Sequence, residues 1–237
     1  INCAKLAKKF LKLPVSIVTD TPIDSTEFDH IIIRDRGPDN YREKGQLWRN
    51  TDRYCAYELS PYSETILIDS DYLIFNDSLN KILDHTQDYK LFDSNWFLDL
   101  DHDKKMGLTS LSFIWATVIL FKKTAKAKIL FEFVGQIQNN YEYYKKLYQI
   151  QLENYRNDFA FTIADNVLNG YAKDINCTIP YSMTSIYEPI VNLEINNNRL
   201  IIRSEKQAYI NSLTDIHLMD KEFLMSDQYK NFVDNIQ

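Results

Sequence analysis

Residues 65–75 read Thr65-Ile66-Leu67-Ile68-Asp69-Ser70-Asp71-Tyr72-Leu73-Ile74-Phe75. Two carboxylates, Asp69 and Asp71, interrupt an apolar run that otherwise reads as a buried strand. Strands bury apolar side chains and rarely carry uncompensated charge. In an extended chain, residues i and i+2 share a face. Their Cα atoms then lie ~6.6 Å apart, at about 3.3 Å rise per residue. Side chains at that spacing can close on one hard cation, whose oxygen ligands sit at about 2.0–2.6 Å. Without a cation, like charges this close push one pKa up. The pair therefore predicts half of a Mn²⁺ or Mg²⁺ site at a strand end. The alternative is a strand that leaves the core into a solvated, Asp-rich turn.

The flanking elements must hold this pair. Residues 2–12 place Cys3, Leu6, Ala7, Phe10 and Leu11 on one helical face. Residues 15–19 read as a strand ending at Asp20, and 30–33 as a second. Residues 46–59 read as a helix closed by Ser60-Pro61, and the Asp69/Asp71 strand follows. A short helix to Asp84 and a strand at 90–93 come next, then a loop over 97–112. Residues 113–121 form a long apolar strand, and 124–150 a long helix with a break near Gly135. Asn157 or Asp158 caps a helix that Gly170 ends. Val191–Ile195 and Arg199–Arg203 pair as a hairpin about Asn196-Asn197-Asn198, and 221–235 is a terminal helix.

Strands alternating with helices predict an α/β fold, a mixed, mainly parallel sheet flanked by helices. Ligands bind beyond the carboxyl ends of such strands. Asp20, Asp69 and Asp71 all stand at strand ends, so they are expected to share one crevice. Residues 1–237 read as one domain, with a strand expected to precede the first helix. Residues 171–237 change character, to a hairpin and a terminal helix.

Composition narrows the field. Apolar residues make up 45 % of the 237, which fits a folded core. Five glycines leave no Gly-rich phosphate loop. A net charge of −6 disfavours general nucleic-acid binding, although a local basic patch would survive it. Cys3, Cys55 and Cys177 have neither zinc spacing nor an even disulfide count, and a reducing, cytoplasmic compartment is the simpler expectation. No run of ~20 apolar residues predicts a membrane span.

The order of these elements resembles the GT-A type of nucleotide-sugar glycosyltransferase. The resemblance rests on a strand ending Val18-Thr19-Asp20, on Glu64 through Asp71, on Ala116 through Phe121, on Asn157-Asp158 opening a helix, and on Ile216-His217-Leu218-Met219-Asp220-Lys221. It implies that Asp71 chelates a divalent metal against the donor's diphosphate, with Asp69 sharing the metal or touching the ribose. The late histidine is similar to the third metal ligand of the glycogenin-like branch, which gives His217 that role and sets Lys221 near the diphosphate. The chain departs from that branch at Trp115-Ala116-Thr117 and lacks the glycines around the late lysine. His217 as a half-buried histidine with a local partner is the other reading.

Further roles follow from the same resemblance. Asp158 would stand near the acceptor as a base, or it is a helix N-cap. Asp20 would join the donor site. Arg53 is the preferred residue near the nucleotide, among Arg42, Lys44, Trp48, Arg49 and Asn50, and a solvated helix face is the other reading of each. Trp96 would stack on a sugar or pack in the core. The donor would be UDP- or GDP-linked; a glycan, a protein and a modified DNA base are all compatible acceptors, the last resembling phage-encoded glycosyltransferases. Residues 171–237 would form the acceptor side. The non-enzyme rival is a GT-A-like domain without catalysis that binds or builds. Lysine clusters at 104–105, 122–128 and 145–146 would meet phosphates or form solvated faces. A glycosidase would need two carboxylates flanking a sugar, and Ser–His–Asp hydrolysis lacks its Gly-x-Ser-x-Gly elbow.

Overall fold

The computed structural model describes residues 1–35, 40–41, 47–48, 51–99, 106, 111–151 and 154–236. The first half comprises α1 (Asn2–Leu11), β1 (Ser16–Thr19), β2 (His30–Ile33), β3 (Asn40–Tyr41), β4 (Leu47–Trp48), α2 (Ala56–Leu59), β5 (Glu64–Ile68), β6 (Tyr72–Leu73), α3 (Ser78–Asp84), β7 (Tyr89–Phe92) and β8 (Asn95–Phe97). The second comprises β9 (Trp115–Lys122), α4 (Ala125–Asn139), α5 (Tyr141–Leu147), α6 (Asn157–Leu168), β10 (Met183–Ile186), β11 (Ile190–Asn196), β12 (Arg199–Ser204), β13 (Ala208–Ser212), β14 (Ile216–Leu218), α7 (Lys221–Leu224) and α8 (Asp227–Asn235).

The fold is mixed α/β, but the sheet is not mainly parallel. Among the described residues, β9 runs antiparallel to both neighbours, β5 and β7. A parallel neighbour needs a crossover, usually helical, and no helix stands among the described residues between β7 and β9. A second sheet has the order β6-β14-β10-β8, with only β6 antiparallel to its neighbour. β1 and β2 form a separate parallel pair. β11, β12 and β13 form an antiparallel meander. Its first turn carries Asn197 and Asn198 at φ 50° and 61°, the left-handed pair that a two-residue hairpin needs.

Two apolar clusters support these sheets. The larger gathers β7, β9, α4 and α6 around Phe92, Phe121, Phe131 and Phe161. The smaller joins α1, β6, β14, the meander and α8 around Leu73, Ile202, Leu218 and Tyr229. The segment that carries Asp69 and Asp71 lies between the two, with Tyr72 and Ile74 in the first cluster and Leu73 and Phe75 in the second.

Three predicted helices differ in outline. The helix over 46–59 is instead β4, a 3₁₀ turn at Asp52–Cys55 and the short α2. Asn50, Thr51 and Asp52 favour local side-chain bonding over a helix interior. The long helix breaks at Asn140, not at Gly135. Gly135 stays helical because it admits the Tyr54 ring, which would lie 2.8 Å from a Cβ. The terminal helix divides at Ser226, whose hydroxyl accepts the Tyr229 N–H and starts α8. As expected, Gly170 (φ 63°) ends α6. The Tyr171 N–H returns to the Asn166 carbonyl and the Gly170 N–H to Val167, a Schellman closure.

Candidate metal centre

The carboxylates converge by a turn, not along a continuous strand. β5 ends at Ile68, and the Tyr72 N–H bonds back to the Asp69 carbonyl at 3.1 Å. Each part of this turn is held by a different element. The Asp69 N–H donates to the Thr117 carbonyl of β9 at 2.9 Å. The Cys3 thiol of α1 donates to the Ser70 carbonyl at 2.6 Å. The Leu218 N–H of β14 donates to the Asp71 carbonyl at 2.9 Å. Backbone held at three points costs little entropy to hold further when an ion arrives.

β14 brings the third group. His217 lies opposite Tyr72 of β6 in register. Its Nε2 stands 3.4 Å from Asp71 Oδ1, and both side chains are buried. One ligand atom from each of Asp69, Asp71 and His217 lies within 4.8 Å of the others. Ligand atoms sharing one ion at about 2.2 Å are about 3–4.4 Å apart, so closure asks for shifts well under an ångström. Two carboxylates and an imidazole suit Mn²⁺ better than the all-oxygen preference of Mg²⁺. Among the described residues His217 Nδ1 is buried without a hydrogen-bond partner, as is the hydroxyl of Ser185, its register partner on β10. The residues present therefore fit a divalent ion, with an orphaned imidazole nitrogen behind it.

Charge is distributed unevenly. Arg53 is buried and reaches Asp69 Oδ1 at 2.6 Å and the Thr117 carbonyl at 2.9 Å. Lys221, at the start of α7, pairs with the other oxygen of Asp71 and is itself exposed. Burial raises the pKa of Asp69 against the pull of Arg53, with Asp71 and Asp158 adding to the rise. Burial works on Asp71 as well. There the His217 and Lys221 contacts outweigh it, and the carboxyl is held well below the usual range. Burial and the neighbouring Asp71 charge thus work against ionisation of Asp69, while His217 and Lys221 favour the ionised form of Asp71.

The other predicted residues are placed differently. Asp158 does not cap its own helix; its Oδ1 accepts the Ala116 N–H at 3.0 Å and its Oδ2 pairs with Arg156 at 3.1 Å. It anchors α6 to the start of β9 and lies close enough to Asp69 to act on its charge. Asp20 is exposed at the end of β1, accepts the Thr21 hydroxyl, and is not part of the three-residue group. Among the described residues β1 pairs with β2 and not with β5, so Asp20 and the Asp69/Asp71 pair stand at the ends of strands in different sheets. Arg53 is engaged with Asp69 and Thr117 rather than left open to a phosphate. Trp96 is 61 % exposed and, by strand alternation, faces away from the Phe97–Ser185–His217 row.

Arg42, Lys44, Arg49, Asn50, Lys104, Lys105 and the side chain of Trp48 lie outside the described residues. Lys122, Lys126 and Lys128 pair with Glu64, Asp174, Glu58 and Glu132, as a solvated face does. Three supporting residues carried no sequence signal. Cys3, Thr117 and Ser185 act through a thiol, a carbonyl and a register position, none of which a motif marks.

No helix among the described residues is long and apolar enough to cross a membrane. No protein-family model matches this chain, and neither any curated protein nor any solved structure matches it.

Proposed function

We propose that this chain is a metal-dependent glycosyltransferase of GT-A-like fold, which moves a sugar from a nucleotide-diphosphate donor to an acceptor. The observation that carries the reading is the convergence of Asp69, Asp71 and His217, the last from a strand almost 150 residues later, on one ion-sized space. In this reading Asp71 and His217 hold Mn²⁺ or Mg²⁺ from the buried side and Asp69 from the half-open side. The ion, when bound, offsets the charge that develops on a departing diphosphate. Arg53 keeps the Asp69 carboxylate oriented through its bond to Oδ1. Lys221 stands at the exposed side, within reach of a diphosphate. Asp158 fixes the start of β9, on which the turn rests.

The test is a donor screen with UDP- and GDP-sugars and Mn²⁺, comparing the protein with Asp71→Ala. Nucleotide release by the parent protein and none by the variant supports the reading. Thermal stabilisation by Mn²⁺ with UDP or GDP should accompany it. Turnover unchanged in Asp71→Ala would remove the assignment. Absence of both turnover and nucleotide-dependent stabilisation would favour a non-catalytic module.

A further inference from the structure

The two aspartates are each matched by a cation of the chain itself, and the two cations differ in kind. Arg53 is 5 % exposed and holds a second bond to the Thr117 carbonyl, so it is a fixture of the fold. Lys221 is 63 % exposed, and its ion pair among the described residues is the one to Asp71, whose side chain is 8 % exposed. An exposed lysine loses side-chain entropy to hold such a geometry, and its flexible four-carbon stem can turn the amine outward into water. A divalent ion at the same carboxylate meets twice the charge and three ligands at once.

We propose that Lys221 is a built-in counter-cation that neutralises Asp71 in the metal-free protein and swings off it when a divalent ion binds. This rests on the metal-site reading above. In the metal-free protein the Lys221 amine takes the place beside the nearly buried Asp71 side chain that a divalent ion would need. Arg53 cannot do this for Asp71, because its guanidinium is committed to Asp69 and Thr117. His217 contributes a contact at 3.4 Å but occupies a ligand position that the ion also uses. Displaced, the amine stays beside the ion, at the open side of the site, as a free positive charge.

Two measurements test the exchange without any turnover. The first is Mn²⁺ affinity, by titration calorimetry or by the free Mn²⁺ electron-spin signal, in the parent protein and in Lys221→Met and Lys221→Gln. Removing the competitor should tighten Mn²⁺ binding by about two- to fivefold, the range expected for breaking one partly exposed ion pair. The second is acetylation of the Lys221 amine in the parent protein, followed by mass spectrometry. Its rate should rise when Mn²⁺ is added, while that of an exposed lysine remote from the site stays constant. Equal or weaker Mn²⁺ binding by both variants, or labelling indifferent to Mn²⁺, overturns the exchange and leaves the metal site standing. No Mn²⁺ binding by the parent protein or the variants overturns the metal reading and the exchange with it.

Discussion

Arg53 and Asp69 meet through Nη1 and Oδ1 at 2.6 Å, and the same guanidinium continues to the Thr117 carbonyl at 2.9 Å. Thr117 also takes the Asp69 N–H. Asp69 is therefore fixed to β9 twice, through its backbone and through an intermediary arginine. Asp71 has no such tie beyond its backbone; its side chain meets a histidine and an exposed lysine. The two aspartates of one motif thus carry different burdens, and the substitutions that test them should separate.

Asp69→Ala strands a buried guanidinium, which is strongly destabilising when a partner is removed, by about 3–5 kcal/mol in such cases. Asp71→Ala leaves behind an exposed lysine and a neutralisable histidine rather than a buried guanidinium, and should cost less than Asp69→Ala. Urea unfolding of the two variants checks the contrast. Both should lose Mn²⁺ binding. Equal destabilisation would show that Arg53 finds another partner when Asp69 is removed.

His217→Ala removes the proposed nitrogen ligand from a strand that stays paired on both sides. Mn²⁺ binding should weaken about 10- to 100-fold, the cost of losing one ligand or its support. Ser185→Ala removes the hydroxyl opposite it in register and should weaken binding less. Calorimetric titration with Mn²⁺ reads both. Unchanged affinity in His217→Ala would assign the site to the two carboxylates alone.

Acid titration should separate two kinds of buried carboxyl. Burial pushes Asp215 up to about 7, against N–H donors from Phe75 and Asn76. It pushes Asp165 up to about 6, against its bonds from Tyr89 and Asn169. A carboxyl whose pKa is higher folded than unfolded binds more protons in the native state. Its stabilising effect is complete below the unfolded value near 4 and is lost as pH rises through the folded value. Stability should therefore fall between about pH 4 and 7. Asp71 works the other way, with support present above pH 4 and lost below it. Asp215→Asn keeps an oxygen for the Phe75 N–H and removes the charge. It should raise stability at pH 8 by an amount on the order of 2–3 kcal/mol and do little at pH 4. A pH-independent effect would show that the Asp215 charge is not what the fold works against.

The sequence singled out the three side chains that meet in the fold, and their scaffold was much less legible. Asp69 and Asp71 announce themselves by interrupting an apolar run, and His217 by its place in a short late strand. Their meeting does not follow from the i, i+2 spacing, since the chain turns at Ser70 instead of staying extended. Composition and periodicity led to a helix over 2–12, observed as Asn2–Leu11, to a helix that Asn157 or Asp158 opens and Gly170 ends, observed as Asn157–Leu168, and to the hairpin about Asn196-Asn197-Asn198, where local rules govern. They misjudged the direction of β9, because parallel and antiparallel central strands bury the same residues. Arg53 shows the limit most clearly. A lone arginine ahead of the acidic strand reads as a phosphate contact or as part of a solvated helix face, and its bonds to Asp69 and to the Thr117 carbonyl are visible only in three dimensions.

Asp158 offers the last separation, between a base and an anchor. A general base needs a carboxylate oxygen open to the acceptor hydroxyl and contributes about 10²- to 10⁴-fold in rate. Asp158 has Oδ1 on the Ala116 N–H and Oδ2 on Arg156. Asp158→Asn retains the Oδ1 acceptor and loses the Arg156 pair, which is partly exposed. The anchor role predicts turnover within about tenfold of the parent protein and unaltered Mn²⁺ affinity. Asp158→Ala should then be the harmful change, because it orphans the Ala116 N–H at the head of β9, at about 1–3 kcal/mol in urea unfolding. A hundredfold or greater loss in Asp158→Asn, with stability intact, would make Asp158 the proton acceptor and show that Arg156 releases it when the acceptor binds.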